Sequence, residues 1–323
     1  MSFKNTVQVM GNENNRVHFK TKDTNMKWRG FEFFNIHTYS NRVAINPFKL
    51  DGTYFAGTKV EYLTITGATG ASWTMAGYFS NIVIDGVLGS FSATDRSDST
   101  RGLMNVNGFY FAHSEFPIPQ NMSTGYQDLN IMFDNDILPG SYDFGGESLL
   151  IWSNRFATGT PQISAWERKI LLFNTMSSIN CGGQVFGNAV RQSIDNESSP
   201  SCKSSDNVVG SENSAVSSKK FAYWHDSNLT TFYSYQSDSI RKGETSRDFM
   251  VTLLDANGVV NPSAVKWTVE YVSNAGNKIT VKEEVGSKFN IVPPASANYT
   301  IKITSADNSQ ELIGVLSRSM SAY

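Results

Sequence analysis

Charge is scarce in this chain. Asp, Glu, Lys and Arg make up 17% of its 323 residues, against about 25% in an average globular protein. No run of Lys or Arg occurs and the net charge is −2, so the basic footprint of a nucleic-acid binder is missing. Long apolar runs are missing too. Nothing approaches the ~18 consecutive apolar residues of a spanning helix, and no membrane insertion is expected. The opening Met1-Ser2-Phe3-Lys4-Asn5-Thr6 has neither an apolar core nor a cleavage pattern, so classical signal-peptide export is not expected. Cys181 and Cys202 are the only cysteines, too few for a disulfide framework. They lie close to one repeat period apart and could stack on adjacent coils. The expectation is a pair of buried thiols, with a bridge as the alternative.

Signatures of cofactor chemistry are equally thin. No Gly-rich loop follows a strand and opens a helix, so no nucleotide cofactor is expected. His18, His37 and His225 lack the partner spacing of a metal or nucleophile site. Asp134-Asn135-Asp136 offers oxygen ligands, but the further acids and the bidentate Glu of a calcium loop are absent. No metal is expected.

Asn, Ser, Thr and Gly stand in place of the missing charge, and they favour turns over helix interiors. Against that background run nine short apolar segments, around residues 31–35, 62–67, 82–86, 109–113, 131–135, 150–154, 171–174, 185–188 and 208–211. Each is read as an alternating strand closed by Asn, Asp, Gly or a small polar residue. Most neighbours are roughly 19 to 27 residues apart, the signature of a stacked solenoid. Residues 1–26 are polar and read as an N-terminal cap or attachment segment, and 27–214 as the coil. One stretch departs from the pattern: Ser164-Ala165-Trp166-Glu167-Arg168-Lys169-Ile170 follows Pro161 with good helix formers and predicts a single helical turn.

Composition then shifts. After a Ser-rich boundary, residues 215–247 form a connector crowded with aromatics, among them Phe221, Tyr223, Trp224 and Phe232. Longer strands at closer intervals occupy 248–323, with Trp267 central, in the manner of a small immunoglobulin-like antiparallel β-sandwich. The fold class is therefore all-β.

Coils of this length, ending in Asn or Gly, resemble the right-handed parallel β-helices of pectin-type lyases and bacteriophage tailspikes. A β-helix followed by a β-sandwich is similar to phage tailspikes and tail fibres. That resemblance implies a homotrimer located in the virion tail, with a host cell-surface polysaccharide and other tail proteins as partners. The function it implies is that of a structural adhesin. A polysaccharide depolymerase on the same scaffold is the alternative, and a purely structural tail or baseplate component the second alternative.

Hydrolysis would need two carboxylates on one face of the coil. Asp134 and Asp136, two residues apart just past a strand, are the candidate pair, with Glu147 and Glu115 on neighbouring turns. An Asx-turn capping the coil is the plainer reading of both aspartates. A lyase would need a base and a cation to neutralise a uronate, for which His113 and Arg155 are available. Sugar binding alone asks for exposed aromatic faces beside amides and hydroxyls. Trp73 and Tyr126, in Gly/Ser/Thr surroundings, are the candidates; Trp152, within an apolar strand, reads as core.

Overall fold

A computed structural model describes residues 2–3, 7–23, 26, 32–33, 48–55, 57–74, 77–93, 109–119, 121–124, 130–140, 149–212, 219–225, 239–240, 247–260, 265–272, 278–285, 288–291, 298–305 and 311–322. These residues are all-β, with no helix among them. The chain divides into two compact units, Met1–Ala215 and Val216–Tyr323.

The first unit is one 20-stranded sheet whose strands pair in parallel as the chain climbs in a coil. One column of register partners runs from Met10 through Glu61, Ser80, Ala112, Phe133, Trp152, Leu172 and Phe186 to Ser205. A second column begins just beyond a bend and includes Thr64, Val83, Glu115, Asp136, Arg155, Thr175, Ala189 and Val208. Eight of the nine apolar segments of the sequence are drawn from these two columns, which is one source of their uneven spacing; of the remaining segment, Glu32–Phe33 pairs with Ser2–Phe3 and with Ser72 instead. Gln8–Met10 and Val17–Lys20, within the expected cap, pair with Lys59–Glu61 and Leu63–Thr74 as a rung of the same coil.

Phe79, Phe111, Met132, Ile151, Leu171 and Val185 stack in register inside the coil and are buried. Their strand neighbours are buried as well. Phe109–Ala112, Asn130–Phe133 and Leu149–Trp152 are buried at all four positions. These strands therefore do not alternate between core and solvent as the sequence suggested. Both faces of a parallel sheet are covered, and its strands become apolar throughout.

Two further expectations are overturned. Residues 164–170 are extended, not helical: they lie in strand Ile163–Leu172, whose register shifts between Trp166 and Ile170. A lone helical turn closes one hydrogen bond at the cost of several fixed dihedrals, whereas parallel neighbours on both sides offer a ladder. Within it Lys169 is buried, and its Nζ donates to the Ser164 carbonyl at 2.6 Å. The cysteines are not thiols. Cys181, in strand Thr175–Phe186, and Cys202 are joined in a disulfide across adjacent coils, their Cα atoms 5.3 Å apart. Both side chains belong to the apolar interior.

The second unit holds two five-stranded sheets. In one, Arg247–Asp255 runs antiparallel to Lys220–His225, Gly258–Val260 and Lys288–Ile291. The other centres on Val265–Val272 and Asn298–Ser305. Phe221, Tyr223 and Trp224 of the expected connector are buried in the first sheet, and Trp224 Nε1 donates to the Val315 carbonyl at 2.7 Å.

Candidate functional site

The bend between the two columns positions every charged candidate the structure describes. At each rung one residue adopts left-handed backbone: Tyr62, Asn81, His113, Asp134, Ser153, Phe173, Gly187 and Asp206, with φ between 49° and 65°. Such a conformation costs a non-glycine residue roughly 1–2 kcal/mol, so something must hold it. From His113 to Asp206 that something is the next residue. Ser114, Asn135, Asn154, Asn174, Asn188 and Asn207 form a ladder up the inside of the bend. Each Asn from 135 to 188 donates its amide Nδ2 to the Oδ1 of the following one at 2.8–3.1 Å. Each also bonds a strand carbonyl: Phe111, Met132, Ile151 and Leu171 in turn. The first four asparagines of the ladder are fully buried. Their amides satisfy backbone groups that the bend would otherwise leave unpaired.

On the outside of the same bend the structure brings Asp134 and Asp136 together with His113 and Arg155. Arg155 grips Asp136 through two parallel bonds, Nε to Oδ1 at 2.7 Å and Nη2 to Oδ2 at 2.8 Å. Its Nη1 lies 3.5 Å from Asp134 Oδ1, and His113 Nδ1 lies 2.9 Å from Asp134 Oδ2. The His113 ring meets Phe133 edge-on at 5.4 Å. The hydrogen bonds that Arg155 donates to Asp136 hold its guanidinium above its ordinary pKa; partial burial opposes this, and the charges of Asp136 and Asp134 add to it. Glu115 flanks Asp136 on the opposite coil.

All four side chains are between 40% and 59% exposed. This is a surface cluster in which Asp136 pairs with Arg155 and Asp134 meets both Arg155 and the His113 ring from neighbouring coils. Both oxygens of Asp136 are held by one guanidinium, a poor arrangement for attack on a glycosidic bond. No group of three metal-ligating side chains occurs among the described residues. Glu147 and Tyr126 lie outside the described residues. The backbone of Trp73 sits in strand Leu63–Thr74 opposite Phe91, and Trp152 is buried.

A second arrangement lies across the earlier coils. Tyr78 and Tyr110 are register partners, and their rings stack at 5.2 Å with 1° between planes. Tyr54 meets Tyr78 at 6.0 Å and Phe48 meets Tyr110 at 5.8 Å, so the row is four rings long. Burial raises the phenol pKa of both Tyr78 and Tyr110, which keeps them neutral. Lys59 Nζ lies 5.3 Å from the Tyr54 ring centre and 5.5 Å from that of Tyr78, and pairs with Glu61 at 2.9 Å. The sequence signal was present in the aligned tyrosines of Tyr78-Phe79 and Tyr110-Phe111, but seeing it needs the register. Compared with known proteins, the chain matches no protein-family model, no curated protein and no solved structure.

Proposed function

We propose that this chain is an attachment module of the phage tailspike and tail-fibre kind, binding a host-surface polysaccharide without cleaving it. In this reading the coil is a right-handed parallel β-helix, the second unit is a small β-sandwich, and the working form is a homotrimer in the virion tail.

The observation that carries the reading is the row of rings on a stiff parallel coil. Tyr78 and Tyr110 stack on adjacent rungs; Tyr110 and Phe48 are buried beneath, and Tyr78 and Tyr54 are the part-exposed members of the row. The part-exposed rings of Tyr54 and Tyr78 and the exposed ring of Phe55 are the aromatic surface against which sugar C–H faces would pack. The ladder of buried asparagines supports the stiffness of the coil beyond the row, since the rungs from Asn135 to Asn207 are tied by side chain as well as backbone. The carboxylates that a hydrolase would use are instead paired with Arg155 and His113, which favours attachment over cleavage.

Co-sedimentation with host cells and with their isolated polysaccharide tests the proposal, with reducing ends and unsaturated uronates assayed in the same tubes. Retention without new chain ends is expected. Chain ends that disappear in Asp136→Asn would make the protein a depolymerase. Failure to retain any polysaccharide would leave a structural tail role. Sedimentation of the free protein is expected to give three times 35.7 kDa; a compact monomer would remove the trimer from the proposal.

A further inference from the structure

We infer that the loop 48–55, with Lys59 and Tyr78 beside it, is the docking platform for an anionic polysaccharide. The inference rests on the attachment function proposed above, and adds where the polymer sits and what charge it carries.

The loop is a built element. Phe48 and Tyr54 form an isolated antiparallel bridge. Lys49 N–H donates to the Thr53 carbonyl at 2.9 Å and Gly52 N–H to the Lys49 carbonyl at 3.0 Å. Asp51 Oδ1 accepts the Thr53 N–H at 2.9 Å. Phe48 and Leu50 point inward and are buried, and Gly52 rests against the Tyr110 hydroxyl. What this anchoring presents outward is aromatic. Phe55 is 52% exposed, and the Tyr54 hydroxyl is tied to the Gly57 carbonyl at 2.7 Å, which fixes the ring. A large exposed aromatic on an anchored loop is a ready face for pyranose C–H groups.

Charge selects the polymer. Lys49 Nζ stands 5.4 Å from the centre of the Phe55 ring, and among the described residues no carboxylate lies within ion-pair distance of it. Lys59, by contrast, is compensated by Glu61, and the loop's own carboxylate, Asp51, is engaged by the Thr53 N–H. A neutral sugar on Phe55 would leave the Lys49 ammonium to water. A uronate or a sulfated sugar on the same ring would place its anion beside that ammonium, gaining a charge-assisted contact from the residue that already makes the stacking contact. The rings supply affinity for sugar in general, and Lys49 discriminates in favour of an acidic one.

The experiment measures binding of the full chain to carboxylated polymers (polygalacturonate, alginate), a sulfated one (chondroitin sulfate) and neutral ones (dextran, pullulan). The parent is compared with Lys49→Gln and Phe55→Ser, both checked for unchanged melting. At least one anionic polymer is expected to bind more tightly than either neutral one. Its affinity should fall as salt rises from about 0.05 to about 0.5 M. Lys49→Gln should weaken it by about 2- to 5-fold, the range of an exposed ion pair, while leaving neutral binding unchanged; Phe55→Ser should weaken both. The carboxylated and sulfated arms identify which anion is used. Equal binding of neutral and anionic polymers, or parental affinity in both variants, overturns the inference while attachment stands. No binding to any polymer overturns both.

Discussion

The amide Nδ2 of Asn135 donates to Oδ1 of Asn154 at 2.8 Å, and that same oxygen accepts the Asn135 backbone N–H at 3.1 Å. One side-chain oxygen thus satisfies two donors of the coil beside it, and the pattern repeats at Asn174 and Asn188. An asparagine here does for a sheet bend what a capping side chain does for a helix end.

Asn154→Leu is therefore expected to destabilise the coil by about 2–5 kcal/mol, because it strands the Met132 carbonyl and the Asn135 N–H in a dry interior. Equilibrium denaturation checks the loss. Asn154→Asp sharpens the test. Its carboxylate would face the carbonyls of Met132 and Trp152, which now accept from Nδ2, so folding should raise its pKa above the unfolded ~3.9. The unfolded chain then ionises first. The penalty is absent below about pH 3.9, grows as pH rises toward the folded pKa and is complete above it. A variant equally unstable at every pH would contradict this account of the ladder.

The disulfide carries its own prediction. Closing a loop with a sequence separation of 21 removes unfolded-state entropy worth about 3 kcal/mol on the chain-entropy model. The native protein should show no titratable thiol. Denaturation under reductant, or of a Cys181→Ser/Cys202→Ser double variant, should shift to lower denaturant by that amount. An unfolding midpoint indifferent to reductant would contradict it.

Arg155 and Asp136 make a bidentate pair, but both are about half exposed. Exposed pairs contribute about 0.2–1 kcal/mol, so a double-mutant cycle of Arg155→Ala and Asp136→Ala should give a coupling in that range that shrinks in high salt. A coupling several times larger that resists salt would mean that the cluster does more than tie neighbouring coils.

Much of the scaffold was legible in the sequence, because apolar segments recurring at a coil's length have few other physical solutions. The paired cysteines one period apart belong to the same signal. The ladder was visible but misassigned. Asn135, Asn154, Asn174 and Asn188 each follow an apolar segment and read as surface turn closers, since single-chain pattern cannot tell an inward asparagine from an outward one. Their buried role follows from the left-handed residue just before each, which turns the next side chain inward. Segment 164–170 misled for the opposite reason, its local helix preference yielding to pairing with two parallel neighbours. Asp134 and Asp136 share Arg155, but their partners, His113 and Arg155, come from neighbouring coils, and only register brings them in.

Gly52 offers the most direct test of whether the loop beneath the aromatic row must be held in place. Its φ is +78°, and a Cβ there would lie 2.9 Å from the Tyr110 hydroxyl oxygen and 3.0 Å from the ring carbon bearing it. Alanine at this position meets two costs together. The left-handed backbone disfavours any Cβ by roughly 1–2 kcal/mol, and Tyr110, buried and stacked on Tyr78, has little room to retreat. Gly52→Ala should therefore loosen the loop locally without unfolding the coil, since Phe48, Leu50 and Tyr110 are not members of the interior cluster that holds the column from Phe79 to Val185. The expected result is faster amide exchange over 48–55, a melting curve close to the parent, and polysaccharide affinity reduced at least as far as in Phe55→Ser. If exchange rises and affinity holds, the loop is not the platform; if neither changes, the contact of Gly52 with Tyr110 is not what fixes it.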